Sequence, residues 1–572
     1  MKLFIRKHLN IYFFCCFFQI LIFSGCSGEV ANNTVAEASV DYEEMERQKK
    51  EELARLTKGD IFIEPDKLVG YASEIDFGYD EQMKQLDYSF SMAQIPQSDD
   101  AYVYLFSKES FDSSNYLYGE PVSTALKGNE CHLTFPFINE YLFARFIPAL
   151  LLDGKYVPLS EAVYFSTPEE VALNKSEYPN KDSKKGLLLD PTMLYTEKLT
   201  DLGVKHAIYN IPLSLIMGET TDETFPTITY HYKGKDYYFN GAVINGYDGL
   251  FSYLNSLGMS CTAIILNDWN DTNIEMIHPD ARNSGSGAYY YMFNTTQPGA
   301  VRTLEAIACF LTERYSGKEY GLVHSWVIAN EINQQKIWNY MDTEDVTYYA
   351  EEFEKAFYIF YQAAKSQYAN AGVYFSIDHD WNSNGGSNTK FFNGKELIEA
   401  FDNAAKKHGN YDWGIAIHPY PNPISKVRYW TQSYEKEPDA KYLSIMNLSV
   451  LTDFLKQDKY LNQYNEVRSI TITELGFTSL YGEKLQAAAF AYCYYIVNDN
   501  PYIDAFIMNR QTDAPEEIKQ GLAFGIYNYD QSDKYIKEVF RYIDTPKAEE
   551  YSEFMLPILN AETIEEALEW AK

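Results

Sequence analysis

The sequence predicts an α/β protein, a (β/α)8 barrel (TIM barrel) preceded by a small all-β, sandwich-like domain, and three observations in the 572-residue chain carry that reading. From about residue 185, short apolar runs alternate with longer amphipathic segments, the rhythm of repeated βα units around a parallel sheet. The alternation occurs eight times, the number at which such a sheet closes on itself. The main competitor, an open doubly wound sheet, usually carries a Gly-rich phosphate turn after its first strand, and "GLLLDPTML" has none.

Residues 1–26 read as a targeting segment outside the fold. Lys2, Arg6 and Lys7 form a basic start, and "IYFFCCFFQILIF" is an apolar run too short to span a bilayer comfortably. Ser24 and Gly25 directly before Cys26 resemble the end of a bacterial lipobox, with Phe23 where Leu is usual. That resemblance implies a lipid on Cys26, a cell-surface or secreted location, and contact with the membrane only through the anchor. Residues 27–60 are charged and small and read as a solvated tether or spacer helix.

Residues 61–180 read as short strands with turn signals between them, among them "LDYSFSM", "AYVYLF", "HLTFPF", "YLFARFIPALL" and "AVYFS". This is the pattern of a small β-sandwich, expected to brace its neighbour more than to bind carbohydrate. Residues 185–572 hold the eight barrel units. Their candidate strands are "GLLLD", "HAIYNIP", "CTAIILND", "SWVIANE", "VYFSID", "WGIAIH", "SITITE" and "DAFIM". Helical stretches separate them, as where Tyr349, Phe353, Ala356, Phe357 and Phe360 fall on one stripe. "TITYHYKGKDYYFN" reads as a hairpin around Lys233 and Gly234, expected over the cleft wall, and Arg282 to Thr296 as a second long loop on the same face.

Composition narrows function. A net charge of −33 repels phosphate backbones and argues against a nucleic-acid partner. The cysteines from Cys26 onward show no metal-ligand spacing, so neither a zinc site nor a disulfide framework is expected, and no cofactor is suggested. Aromatic content is 16%, with 50 Tyr, side chains suited to interfaces and to sugar faces.

Polar groups recur where the candidate strands end, the face on which barrels carry chemistry. They are Asn210; Asn267 with Trp269; Asn330 with Glu331; Asp378, His379, Asp380 and Trp381; His418 and Tyr420; Glu474; and Asn509 with Arg510. The dipeptide Asn-Glu occurs four times, but only Asn330-Glu331 closes a strand, the fourth, and Glu474 closes the seventh. Two carboxylates on opposing arcs of a ring face one opening, as glycosidic-bond cleavage requires.

On these motifs, "WVIANE", "IHPYP" and "ITITELG", residues 186–572 resemble the clan A retaining glycoside hydrolases. The resemblance implies a carbohydrate substrate, with Glu474 as nucleophile, Glu331 as acid/base and Asn330 on the sugar 2-hydroxyl. It also implies Tyr420 donating to Glu474 and His418 lining the subsite. Asn210, Asn267, Trp269, Asp378, His379, Trp381 and Arg510 are expected as further substrate contacts. The chain departs from the clan in having no clear Arg ending strand two and "MNRQTD" in place of a Trp after strand eight; Arg510 is the candidate for the missing positive charge. Two other readings stay open. One is a non-catalytic glycan-binding lipoprotein on a degenerate barrel. The other is a metal-dependent hydrolase using Asp378, His379 and Asp380, disfavoured because consecutive side chains off a strand point different ways.

Overall fold

The computed structural model describes residues 42–572 apart from 113, 115, 272 and 384–390, so the expected leader and the lipidated Cys26 lie outside the described residues. Residues 54–572 form one compact unit. The helix α1 (Tyr42–Lys58) accounts for the charged segment. It is not solvated throughout, as a simple spacer would be. Near its C-terminal end Leu56 is buried, and the carbonyl of Thr57 accepts from Ser98 N at 3.1 Å. Among the described residues no helix is long and apolar enough to cross a membrane.

Antiparallel sheets follow. One pairs Ser73–Asp80, Gln85–Ser91 and Glu130–Pro136; the other pairs Ser123–Leu126, Tyr102–Lys108, Arg145–Leu152 and Lys155–Pro158, with Val163–Tyr164 alongside Arg145–Leu152. Alternating apolar residues meet between them: the Phe146 ring lies 5.4 Å from Phe77 and 5.3 Å from Phe135.

All eight expected barrel strands form. They are β1 (Lys185–Leu188), β2 (His206–Pro212), β3 (Ser260–Leu266), β4 (Ser325–Ile328), β5 (Gly372–Asp378), β6 (Gly414–His418), β7 (Ile470–Leu475) and β8 (Ile503–Met508). Each pairs in parallel with its sequence neighbours, and β8 pairs with β1 to close the ring. Burial on both faces explains the near-continuous Val, Ile, Leu and Phe of these strands. Inside the ring, Val327, Tyr374 and Ala416 form one packed group with Ile264, and Ile208, Ala505 and Ile507 another with Leu188. Gly372 and Gly414 leave room for Tyr374, because a Cβ on either would collide with its ring.

The sandwich packs against the barrel. Helices α2 (Pro298–Arg314) and α3 (Val346–Gln367) carry the contacts: Asn139 Nδ2 donates to Glu313 at 3.1 Å, and Gln362 Nε2 to the Phe165 carbonyl at 2.7 Å. The expected hairpin forms, Ile228–Tyr232 against Lys235–Phe239, with Lys233 and Gly234 both at positive φ. Its described contacts run to the segment after β2, where Gly218 N donates to Tyr238 O at 2.9 Å, and to α2 and the sandwich. Phe239 stacks on Phe310 of α2 at 3.8 Å, and Lys233 joins buried Glu305 of α2 (2.9 Å) to Glu109 of the sandwich (2.7 Å).

Candidate active site

Glu331 reaches the cleft through a backbone turn. β4 stops at Ile328, three residues before the expected end, because Ala329 (φ 62) and Glu331 (φ 38) take the left-handed conformation. Each such residue costs about 1–3 kcal/mol and persists where its surroundings hold it. Here Ala329 N donates to Ile265 O (2.9 Å), Glu331 N to Ser376 Oγ (3.2 Å) and Ile332 N to Ser376 O (2.8 Å). Glu474 needs no such device, since it lies within β7.

The two carboxylates meet across His418, the last residue of β6. Its Nδ1 is 2.7 Å from Glu331 Oε1 and 4.0 Å from Glu474 Oε2. Its Nε2 lies 3.0 Å from Thr473 Oγ1 and 3.3 Å from Ser376 Oγ, which fixes the ring plane. Tyr420 OH donates to Glu474 Oε1 at 2.9 Å, and Asn509 Nδ2 reaches the same oxygen at 3.3 Å and the Tyr420 hydroxyl at 3.1 Å.

The environments of the pair differ. The Glu331 side chain is 14% exposed and that of Glu474 38%. Burial raises the pKa of Glu331, the charges of Asp378 and Glu474 add to the rise, and the His418 hydrogen bond opposes it. Burial pulls His418 down, yet its hydrogen bond to Glu331 and the charges of Glu474, Glu331 and Asp378 outweigh it and its pKa is raised. Both Glu331 and His418 are thus shifted toward their protonated forms, beside the more exposed side chain of Glu474.

Other expected contacts sort by what already engages them. Asn330 is half-buried beside Glu331, and Asn210 is exposed on β2. Trp269 stays at the mouth, half-buried, its ring 5.2 Å from Tyr291 and its Nε1 donating to Asp271 at 3.2 Å. His379 is half-buried, 3.8 Å from Asp378 and with its ring 5.7 Å from that of Tyr442. Four expectations change. Asn267 is buried, and its amide clasps a loop by donating to the carbonyls of Met276, Tyr291 and Met292 at 3.0, 3.1 and 3.2 Å. Trp381 is fully buried, its indole donating to Pro438 O at 3.1 Å and its ring packed on Phe454, so it presents no face to a sugar. Asp378 is buried and its oxygens accept from Asn333 (2.5 Å), Gln334 (2.7 Å) and Asp380 N (2.9 Å); it acts on the site through charge. Arg510 pairs with Glu517 at 3.0 Å instead of supplying a cation to Glu474.

Asp378, His379 and Asp380 each bring one ligand atom within 4.8 Å of the others, against the expected divergence. Both carboxylates are already hydrogen-bonded, since Gln334 Nε2 bridges Asp378 and Asp380 at 2.7 Å each and Ser383 Oγ donates to Asp380 at 2.6 Å.

Ser376, Thr473, Asn509 and Tyr290 join the site without a role that sequence alone assigns. A polar residue within a doubly buried strand, as in "VYFSID" and "SITITE", is the signal that marks the first two. Tyr290, in the loop after β3, is close enough to Glu474 for that charge, after burial and with Asp268, to raise its pKa. The loop pairs with the one after β4: Tyr289 N donates to Ile337 O and Tyr340 N to Tyr290 O, both at 2.8 Å. Trp338 stacks there on Tyr289, 4.6 Å away, which is 62% exposed.

A closed parallel barrel with two carboxylates and a histidine gathered at one rim defines the class of protein. Within that class, residues 177–567 match the model of a family described as a family of unknown function (DUF5722), and the chain belongs to it. No curated protein matches the chain. Solved structures similar to it include a family 39 glycoside hydrolase from the gut symbiont Bacteroides cellulosilyticus WH2 (14% identity, 78% of this chain and 77% of that one, TM-score 0.42). A β-glucuronidase of Bacteroides uniformis (12%, 82% and 49%, 0.34) and a family 1 β-glucosidase from Thermotoga maritima (11%, 64% and 86%, 0.36) are others. The chain spans about half the length of the B. uniformis enzyme. Likenesses this distant carry no argument about activity, which rests on the site itself.

Proposed function

We propose that the protein is a retaining glycoside hydrolase. The observation that carries the reading is the sharing of one imidazole nitrogen by Glu331 (2.7 Å) and Glu474 (4.0 Å). Two contacts of that length keep those carboxylate oxygens within about 7 Å of each other, a bound that admits the about 5–5.5 Å of double displacement and only the lower edge of the inverting range. In the first step Glu474 attacks the anomeric carbon while the protonated Glu331 donates to the departing glycosidic oxygen. The C–O bond breaks with its electrons on the leaving group, and a glycosyl ester forms on Glu474. Esterification removes the Glu474 charge that helped hold the proton on Glu331, so Glu331 now accepts a proton from water. That water cleaves the ester and restores both groups. Asn330, adjoining the acid in sequence, is the residue assigned to the sugar 2-hydroxyl in this reading.

Trapping with a panel of 2-fluoro glycosides tests this. The expected result is a mass adduct on the peptide carrying Glu474, first-formed product of retained anomeric configuration, and no turnover in Glu474→Gln. An adduct elsewhere, or an inverted product, overturns the mechanism. The convergence of Asp378, His379 and Asp380 keeps the metal-dependent reading testable: loss of turnover with a chelator, restored by a divalent cation, favours it. The proposal places the enzyme outside the cytoplasm on a lipid carried by Cys26, and failure of Cys26→Ala to abolish palmitate labelling argues against that anchor.

A further inference from the structure

A cavity lies away from the carboxylate pair. It has a volume of about 440 Å³ and lies where the sandwich meets α2 and α3, within the range of about 300–1,000 Å³ usual for small-molecule sites. Phe111, Arg145 and Tyr164 enter from the sandwich; Lys355, Tyr358 and His408 from the barrel. In a chain of net charge −33, every charged or basic side chain lining this space is a cation or a histidine.

Two of these have acidic partners that do not line the cavity. Lys355 Nζ is 2.6 Å from Glu352, and His408 Nδ1 is 2.8 Å from Glu354. Arg145 differs. Its Nη2 donates to the backbone carbonyl of Asp112, its Nε is buried with no hydrogen-bond partner, and no carboxylate pairs with it among the described residues. A guanidinium held this way keeps part of its donor fork for an oxyanion. Beside it, Tyr164 stands edge-on to Tyr358 (5.1 Å) and to His408 (4.8 Å), and Tyr358 stacks on His408 at 4.8 Å. A cation next to an aromatic wall suits a ligand with a charged group at one end and a ring with an apolar face at the other.

We propose that this cavity is a second binding site, separate from the cleft, for a sugar acid: a saccharide unit bearing a carboxylate. Arg145 and Lys355 take the carboxylate, and the half-buried rings of Phe111 and Tyr164 take the sugar ring. The choice of a sugar as the ring rests on the glycoside hydrolase reading; the anion site does not.

Calorimetric titration of the full-length protein with sodium glucuronate, glucose and sodium sulfate tests it. Glucuronate is expected to bind saturably, with glucose and sulfate each at least about tenfold weaker, as expected where a charged hydrogen bond and a ring face both contribute. Arg145→Gln should weaken glucuronate about tenfold or more. Lys355→Gln should weaken it severalfold; Lys355 is 47% exposed, so this variant tests the site even if Arg145→Gln does not fold. Glu474→Gln should leave binding unchanged. Absence of saturable glucuronate binding, or glucuronate affinity unaltered in a folded Arg145→Gln or in Lys355→Gln, overturns the site. Loss of binding in Glu474→Gln reassigns it to the cleft, and sulfate binding as tightly as glucuronate overturns the sugar. None of these outcomes depends on turnover, so failure here and failure of the hydrolase reading are distinguishable.

Discussion

Replacing His418 with Gln should move the basic limb of the pH–rate profile upward. In the first half-reaction Glu331 must carry a proton, and the basic limb of kcat/KM reports the loss of it. Burial and the charges of Asp378 and Glu474 hold that proton on; the His418 hydrogen bond, 2.7 Å long, works against them by favouring the carboxylate. A hydrogen bond to a charged group contributes about 1.5–3 kcal/mol net, and one pH unit corresponds to about 1.36 kcal/mol. Glu331 is only 14% exposed, so solvent screening takes little from that figure. Glutamine can replace part of the contact as a neutral donor, which leaves an expected shift of about one unit upward. Glu331 and His418 titrate as a pair, so the wild-type limb belongs to both and the variant limb to Glu331 alone. The assay is kcat/KM from about pH 4 to about pH 9 on an aryl glycoside of the sugar that trapping identifies. A dinitrophenyl glycoside, whose leaving group needs no proton, serves as control and should show a flattened basic limb in both proteins. A limb that stays in place or moves downward in His418→Gln refutes the assignment of Glu331 as the acid, as does an equal shift on both substrates.

Tyr420→Phe removes the 2.9 Å hydrogen bond to Glu474; with Asn509 still 3.3 Å from the same oxygen and the carboxylate 38% exposed, kcat/KM should fall about tenfold, measured on the same glycoside. Asn267→Ala unties the carbonyls of Met276, Tyr291 and Met292 and should lower unfolding free energy by about 1–3 kcal/mol in urea denaturation, whereas a sugar-binding Asn267 predicts a KM effect at unchanged stability. Lys233→Met leaves Glu305 buried without its cation and should destabilise by about 3–5 kcal/mol at neutral pH, with the deficit shrinking as Glu305 protonates in acid.

The ring was legible because its strands are buried on both faces. Runs such as "WGIAIH" and "DAFIM" are apolar enough to stand out between amphipathic helices, and polar residues at their ends mark the rim. Three sandwich strands went unread, Ser73–Asp80, Ser123–Leu126 and Lys155–Pro158; each is short or half-exposed and lacks an apolar face to announce it. In the site, residue type and position along the strand single out Glu331, Glu474, His418 and Tyr420 as candidates, and the fold brings them together. Type and position did not suffice for Trp381 or Asn267. A tryptophan or asparagine just past a strand reads as facing substrate, and what turns it inward is a carbonyl from elsewhere in the chain, Pro438 for one and Met276 through Met292 for the other. The left-handed turn at Ala329 was equally silent, since alanine carries no preference for that conformation.

The lacing of the segment around Tyr289 to that around Trp338, through Tyr289 N to Ile337 O, Tyr340 N to Tyr290 O and Met292 N to Tyr340 O, constrains how this rim can diverge among descendants of the same ancestor. Shortening or lengthening either segment alone strands main-chain donors and acceptors on the other. Insertions and deletions there must come as matched pairs, and the open route to a new specificity on this side is exchange of side chains on a conserved frame.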